Sequence, residues 1–255
     1  MILSVLLNLW IILQVIVAAI LLFPVLSFIV YLFCTKNKFG QAKFNSENDY
    51  AVIVTAYKNE SNLNNVVRSL LQMEHKNFIV YVVADGCPDF EDTFNDSRVV
   101  ILKPIELFSN QLKSHFFAID QFKRAHKYVT IIDSDNIVHP AYLKELDPFF
   151  NAGYKAVQGV RTAKNLNTHY ACIDAVGEIY YLFYDRKVLF TIGSSCMLSG
   201  SGMAFTTELY KDCLGGATST GAGFDKILQK EILVRGHRIA FAEAAIVYDE
   251  KTANA

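Results

Sequence analysis

The first 34 residues carry no acidic or basic side chain, and this run constrains the fold more than any other feature of the sequence. It exceeds the roughly 20 apolar residues that cross the hydrocarbon core of a bilayer as a helix. A cleaved signal peptide would begin with basic residues and have a shorter apolar core. A buried core helix would need a domain that encloses it on every side. We therefore predict a transmembrane segment over residues 1–34, kinked or broken at Pro24.

Basic residues lie on one side of this segment. Lys36, Lys38 and Lys43 follow it and none precedes it, so the positive-inside rule predicts a single-pass protein of the cell membrane whose folded part faces the cytoplasm. We predict that the polar stretch 35–49 is a tether and that residues 50–255 form the folded domain. The lipid bilayer is accordingly one expected partner.

Two classes of protein do not fit the composition. A net charge of -1 argues against nucleic-acid binding, which normally needs a basic face. The five cysteines are odd in number, widely spaced and without a C-x-x-C pair. This pattern argues against a disulfide framework or a zinc site, and it fits free thiols in a reducing cytosol.

Strand-like apolar runs alternate with helical patterns from Tyr50 onward. The runs YAVIVT, FIVYVVAD, RVVIL and YVTII predict strands. After the first run, SNLNNVVRSLLQM has apolar residues at helical spacing with Ser61 as the expected N-cap, and a second helix is predicted around Phe116 to Phe122. The alternation predicts an α/β domain with a Rossmann-like mixed, mainly parallel sheet and helices on both faces.

Three aspartates stand where predicted strands end. Asp85 ends FIVYVVAD, while Asp133 and Asp135 follow YVTII. Such sheets bind ligands at the carboxyl ends of their strands, and residues i and i+2 of an extended chain face the same side. Asp133 and Asp135 would therefore share a ligand, and Mn²⁺ or Mg²⁺ would relieve their mutual repulsion. On these residues alone, the alternative of solvated turn residues stays open.

Five segments occur in an order that resembles the nucleotide-sugar glycosyltransferases of family 2: TAYKNE, VVADGCPD, DSD, SGSGMAF and the stretch from GFDKILQ to DEK. The resemblance covers residues 51–251 and implies a GT-A catalytic domain that takes a UDP-sugar. It implies that Asp133 and Asp135 hold the metal and that Lys113 lies near the diphosphate. The full set of implied donor-binding residues is Ala56, Tyr57, Glu60, Asp85, Lys113, Asp133, Ser134 and Asp135.

The resemblance also implies an inverting transfer with Asp225 as general base. The family usually has Glu-Asp at this point, and Phe224 takes the place of the Glu. Asp225 lies in the first turn of a predicted helix, off the apolar face that includes Ile227, where an aspartate would otherwise only complement the helix dipole. The implied acceptor region comprises Gly200, Ser201, Gly202 and Phe224.

The polysaccharide synthases of this family usually continue into a Gln-x-x-Arg-Trp motif and further membrane helices, whereas the sole Trp here is Trp10. Either the sequence is part of a longer chain or the protein adds sugars without that motif. The expected acceptor is a saccharide or a lipid-linked molecule, in cell-surface polysaccharide or glycoconjugate synthesis, and other membrane subunits are candidate partners. Two other functions stay open: a non-catalytic glycosyltransferase-like assembly or regulatory subunit, and a metal-dependent nucleotidyltransferase.

One apolar, aromatic run has no assigned role. IYYLFYDRKVLF, residues 179–190, predicts either core packing or a helix that lies on the membrane surface. Core packing is the commoner role for such a run, and we expect it here.

Overall fold

The computed structural model describes residues 2–34, 48–216 and 223–252. The strands are β1 Tyr50–Tyr57, β2 Phe78–Asp85, β3 Val99–Leu102, β4 Tyr128–Asp133, β5 Ile137–Val138, β6 Ala156–Ala163, β7 Met203–Thr206 and β8 Ile239–Asp249. The helices are α1 Ile2–Phe33, α2 Leu63–Leu71, α3 Gln111–Asp120, α4 Tyr142–Asn151, α5 His169–Tyr181, α6 Leu189–Thr191, α7 Thr207–Leu214 and α8 Phe224–Val234. A π-helix, Leu182–Val188, joins α5 to α6.

All eight strands form one sheet in the order β3-β2-β1-β4-β7-β6-β8-β5. The pairs β1–β2, β1–β4, β2–β3 and β6–β8 are parallel. Strand β7 runs antiparallel to β4 and β6, and β5 runs antiparallel to β8. The predicted mixed, mainly parallel sheet of an α/β fold is therefore confirmed.

The central strands are buried along their length. Every residue of β2 is buried, and so are the first five residues of β1. Since neighbouring side chains of a strand point to opposite faces, burial at successive positions requires cover on both faces. The buried apolar residues of helix α2, Leu63, Val66, Val67 and Leu70, belong to the same hydrophobic core as these strands.

The predicted start of α2 was wrong by one residue. Asn62, not Ser61, occupies the N-cap position, and it makes no side-chain capping bond. The Ser61 hydroxyl instead donates to Asn59 Oδ1 at 2.7 Å. A serine can satisfy such a local side-chain bond as well as a helix cap, which is why the sequence pattern misplaced it.

Helix α1 contains the apolar run at the start of the chain. By length and composition, Leu3–Phe33 is a candidate membrane span, and it is the one such helix in the described part of the chain. Pro24 lies inside the helix and does not end it.

The predicted tether lies largely outside the described residues, which resume at Asn48. Asn48 and Asp49, assigned above to the tether, pack against the domain. Asn48 Nδ2 donates to Asp147 Oδ1 at 2.9 Å, and Asp49 forms an ion pair with Arg124 at 2.6 Å. The folded domain therefore begins before Tyr50.

The run IYYLFYDRKVLF divides between two environments. Val188 and Phe190, near its end, are buried in the core. Ile179, Tyr180 and Tyr181, at its start, are at least half exposed. The expected core packing therefore holds for the second half of the run only.

Candidate active site

A cavity of about 870 Å³ opens at the carboxyl ends of the central strands. The sheet register brings its main acidic residues together, because Asp85 lies opposite Tyr57 in the β1–β2 pair and Asp133 lies opposite Thr55 in the β1–β4 pair. The lining residues come from the strand ends and the segments that follow them, from the start of α3 and from one residue of α5: Thr55, Ala56, Tyr57, Asn59, Asp85, Ser109, Asn110, Gln111, Ser114, Asp133, Ser134, Asp135, Arg161, Asp174, Asp249, Glu250 and Thr252.

Six of the residues predicted to bind the donor line this cavity. They are Ala56, Tyr57, Asp85, Asp133, Ser134 and Asp135. Half of this set lies at strand ends, because Tyr57, Asp85 and Asp133 are each the last residue of their strand.

Asp133 and Asp135 share the cavity, but not by the geometry that the sequence suggested. Strand β4 ends at Asp133 and the chain then turns, so Asp135 is not two residues further along an extended strand. The Asp133 carboxylate accepts from Gln111 Nε2 at 3.1 Å, while Asp135 Oδ1 accepts from Asn136 Nδ2 at 2.9 Å. Asp133 reaches the cavity as the last residue of β4, and the turn that follows brings Asp135 to the same cavity.

Burial and like charge act on these acids together. Burial raises the pKa of Asp133 to about 6; the nearby Arg161 opposes this rise, while Asp135 and Asp249 add to it. Burial also raises the pKa of Asp135, and Asp249 raises it further. Burial and mutual repulsion disfavour the charged forms of these carboxylates, and a bound cation would stabilise them.

The Asp85 carboxylate holds a neighbouring loop. It accepts hydrogen bonds from the backbone N–H groups of Phe108 at 3.1 Å and Ser109 at 2.9 Å. The Ser109 hydroxyl in turn donates to Tyr57 Oη at 2.9 Å. The predicted base-binding residues Asp85 and Tyr57 are thus tied to the segment that leads into α3. Tyr57 is 47% exposed, and Lys58 Nζ lies 5.0 Å from the centroid of its ring. An aromatic side chain that is partly exposed in a cavity can stack on a planar ligand.

The predicted acceptor segment SGSG lies behind the acids and does not line the cavity. The fully buried Ser201 accepts from the Asp133 backbone N–H at 3.1 Å and donates to Asn136 Oδ1 at 2.5 Å. Gly200 and Gly202 have φ angles of 77° and 66°, which glycine adopts without strain. A Cβ at Gly202 would also lie 3.1 Å from Val247 Cγ2. These contacts give the segment a supporting role beneath the D-x-D turn.

Sequence reasoning missed an ion-pair network on the other side of the cavity. Asp249 at the end of β8 pairs with Arg161 of β6 at 2.5 Å and with the buried Lys251 at 3.0 Å. Its other oxygen accepts from Asn136 Nδ2 at 2.8 Å. Although burial disfavours its charge, the pair with Arg161 leaves the pKa of Asp249 below its ordinary value. Asp249 is the last residue of β8 and the first of the sequence DEK. The rule that such sheets bind ligands at the carboxyl ends of their strands would therefore have identified it.

The remaining predicted residues lie away from the cavity lining. Lys113 is exposed on α3, where its backbone N–H donates to the N-cap residue Asn110. Glu60 is partly buried, and its carbonyl accepts from the Leu63 N–H. The structure therefore does not bring Lys113 or Glu60 to the acids at the strand ends.

Phe224 and Asp225 begin α8. Phe224 is buried and packs edge-on against His115 with ring centroids 5.2 Å apart, so its side chain belongs to the core. Asp225 lies in the first turn, as predicted, and its carboxylate is 3.4 Å from Lys226 Nζ. Residues 217–222, just before this helix, lie outside the described part of the chain. The predicted apolar face is correct for Leu228 but not for Ile227, which is 38% exposed.

Asp133 and Asp135 are the candidate metal ligands of this cavity. Within residues 2–34, 48–216 and 223–252, no cluster of three or more His, Cys, Asp or Glu side chains has the arrangement of a complete protein cage. Mg²⁺ and Mn²⁺ do not need one, because one or two carboxylates plus substrate phosphates commonly hold them. Asp133 and Asp135 lie in one cavity and both have raised pKa values. They fit a metal site in which the substrate phosphates supply the remaining ligands.

The fold is similar to that of several solved glycosyltransferases. TarS 1-349 from S. aureus matches with a TM-score of 0.59 and 16% identity, over 79% of this chain and 60% of that one. Its complex with UDP-GlcNAc matches with a TM-score of 0.57 and 18% identity, over 81% and 60% of the two chains. The chain thus spans about 60% of these TarS chains.

A mannosyltransferase, PcManGT from Pyrobaculum calidifontis, was solved with GDP-Man and Mn²⁺. It matches with a TM-score of 0.62 and 14% identity, over 92% of this chain and 67% of that one. At these identities the likenesses establish the fold, which is that of the GT-A glycosyltransferases.

Sequence comparison supplies the family. No curated protein matches the chain. The sequence profile described as "Glycosyltransferase like family 2" matches residues 47–255, which begin after α1 and include the whole α/β domain. The match covers more than half of the chain and includes every residue that the cavity contains. The chain therefore belongs to the glycosyltransferase-like family 2.

Proposed function

We propose that this protein is a membrane-anchored inverting glycosyltransferase that moves a sugar from a UDP-sugar to a saccharide or lipid-linked acceptor, assisted by Mn²⁺ or Mg²⁺. The observation that carries the proposal is the convergence of Asp85, Asp133 and Asp135 on one cavity at the carboxyl ends of the central strands. Its volume, about 870 Å³, lies in the range of small-molecule sites.

The donor would lie along the β1, β2 and β4 ends. Tyr57 offers an exposed ring for stacking on the base, and Asp85 offers a carboxylate for its N–H or for ribose hydroxyls. Asp133 and Asp135 would hold the divalent cation together with the diphosphate. When bound, such a cation neutralises the charge that develops on the leaving nucleotide.

Asp225 is the proposed general base. The acceptor hydroxyl oxygen forms a bond to the anomeric carbon, the bond from that carbon to the UDP oxygen breaks, and the hydroxyl proton passes to the Asp225 carboxylate. In-line attack opposite the leaving group inverts the anomeric centre. The support for this role is the family pattern at GFD and the position of Asp225 in the first turn of α8.

The proposed location is the cell membrane, with α1 as a single span and the catalytic domain in the cytoplasm. Support comes from the length and apolar composition of α1. Lys36, Lys38 and Lys43, which follow it, favour this orientation. A cytoplasmic domain has direct access to nucleotide sugars made there.

The test is a panel of UDP-sugars incubated with the full chain in detergent or vesicles, with Mn²⁺ or with a chelator. We expect hydrolysis or transfer of at least one UDP-sugar with Mn²⁺, and its loss with chelator. Asp135→Ala should weaken UDP binding in Mn²⁺ by about tenfold or more, as expected for removing one ligand of a charged site, and should change it little in chelator. An equal loss in both conditions argues against metal ligation, and inertness toward the whole panel supports the non-catalytic alternative.

A further inference from the structure

The outward side of α5 is apolar. Ile173, Val176 and Tyr180 are spaced three and four residues apart and so lie on one side of the helix. Ile173 is 70% exposed and Val176 is 65% exposed. Tyr170 and Ile179 flank them and are also more than half exposed. We name these five residues the α5 face. Single exposed apolar residues are ordinary, but a continuous stripe marks a surface that contacts a partner or a membrane.

The opposite side of α5 carries the charges of this helix. Glu178 forms ion pairs with Arg186 at 2.8 Å and with Lys251 at 3.8 Å. Asp174 lines the cavity and lies 4.0 Å from Lys251. A helix on a water-facing surface has the reverse arrangement, with its apolar stripe inward and its charged residues outward. This inversion indicates that the medium outside α5 is apolar.

Aromatic contacts connect the α5 face to the candidate membrane span. Phe183, in the π-helix that continues α5, packs against Phe28 and Tyr31 of α1 with ring centroids 5.9 and 5.8 Å apart. Tyr184 of the same π-helix packs against Tyr180 at 4.9 Å. Phe28 and Tyr31 lie in the last two turns of α1, where a span would meet the water boundary. Tyrosine is enriched at that level of the membrane.

We propose that the α5 face lies in the membrane interface beside α1, with lipid as its partner. Because Asp174 reaches the cavity from the other side of the same helix, the cavity then opens next to the bilayer surface. A lipid-linked acceptor would reach it without leaving the membrane. The inference rests on α1 as a membrane span, which is one part of the proposed function, and it does not depend on sugar transfer.

The test measures how deeply labelled positions enter the lipid. The full chain, with Cys34→Ser and Cys172→Ser to remove the thiols that are not buried, is reconstituted in phosphatidylcholine vesicles. A fluorophore is attached to Ile173→Cys or to Val176→Cys. Matched controls carry it at Lys230→Cys, a side chain that is 73% exposed on α8, or at Ala18→Cys in the middle of α1. Quenching is measured with spin-labelled lipid and with aqueous iodide.

We expect spin-labelled lipid to quench the label at residues 173, 176 and 18, and iodide to quench the label at residue 230. Quenching at residue 18 without quenching at 173 and 176 would overturn the proposal while leaving the span in place. Protection of 173 and 176 from both quenchers would also overturn it, because protein rather than lipid would then cover the face. If lipid quenches none of the positions, both the proposal and the span fail.

Discussion

The sheet has two halves that build their parts of the cavity in different ways. In the parallel half, β1 to β4, the cavity residues are the last residues of neighbouring strands, such as Tyr57, Asp85 and Asp133. In the mixed half, β5 to β8, the cavity residues are held by a network of ion pairs in which Asp249 joins Arg161 and Lys251.

The difference has a physical origin. Parallel strands in register place their carboxyl ends at one edge of the sheet, so short strand-end motifs suffice to bring donor-binding residues together. In the mixed half β5 and β7 run against the other strands. Asp249 does end β8, which is parallel to β6, but its side chain is also held by pairs with residues distant in the sequence. Under the proposed function the first half binds the nucleotide, and the second half positions the acceptor and the base.

The largest expected effect comes from Asp225, which the proposed function assigns to the mixed half. Asp225→Asn removes the proton acceptor without changing the size of the side chain, so turnover should fall by roughly 10²–10⁴-fold. Metal-dependent UDP binding, measured by calorimetry, should stay nearly unchanged because it belongs to the parallel half. Glu231→Gln, at a partly exposed carboxylate of the same helix that pairs with Arg235, serves as the control. Loss of UDP binding together with turnover would contradict this division between the halves.

The next effect concerns the stability of the mixed half. Asp249→Ala leaves Arg161 and the buried Lys251 without their main partner, and unfolding should become easier by about 3 kcal/mol. This value is at the low end for a broken buried pair because the Arg161 side chain is 22% exposed. Chemical unfolding followed by circular dichroism measures it.

Glu250→Ala is the matched control for Asp249→Ala. Glu250 is the next residue, and its pair with Lys164 is exposed, so it should contribute at most about 1 kcal/mol. If both substitutions cost the same, the ion-pair network does not hold the mixed half together.

A third effect concerns the contact between α3, which connects β3 to β4 in the parallel half, and helices α7 and α8. His115 of α3 is fully buried, bonds to Tyr210 Oη through Nδ1 at 2.7 Å and packs against Phe224. Burial lowers the pKa of His115 to about 3. Since the folded state resists protonation, this contribution to stability is complete above pH 6.5 and declines as the pH falls toward 3.

At pH 5 the loss from His115 should be about 2 kcal/mol relative to pH 7. His115→Asn keeps an acceptor for Tyr210 but does not titrate, so its free energy of unfolding should depend less on pH by that amount. Unfolding curves at pH 7 and pH 5 provide the comparison. Equal pH dependence in both proteins would show that His115 is not held neutral at this contact.

The sequence predicted the parallel half well and the mixed half poorly, for reasons visible in particular residues. The positions of Asp85 and Asp133 in the cavity could be predicted because each ends a strand, where such sheets bind ligands. Asp135 reached the cavity through a turn that strand alternation did not predict. Arg161 and Asp249 are 88 residues apart, and no local pattern marks their pairing. Ile179, Tyr180 and Tyr181, at the end of α5, were expected to pack in the core because their run is apolar and aromatic, but they are at least half exposed. Composition alone does not show which side of a helix faces the domain.

The smallest expected effect concerns Ser201, through which the SGSG segment of the mixed half supports the end of β4. Ser201→Ala leaves the Asp133 N–H and Asn136 Oδ1 without their partner in a buried site, and should cost about 1.5 kcal/mol in the free energy of unfolding. Ser199→Ala is the matched control, because the buried Ser199 hydroxyl has no hydrogen-bond partner among the described residues and its removal should be nearly neutral. Because Asn136 also contacts Asp135, Ser201→Ala should weaken Mn²⁺-dependent UDP binding, and Ser199→Ala should not. Equal behaviour of the two variants would mean that the glycine-rich segment does not position the acids.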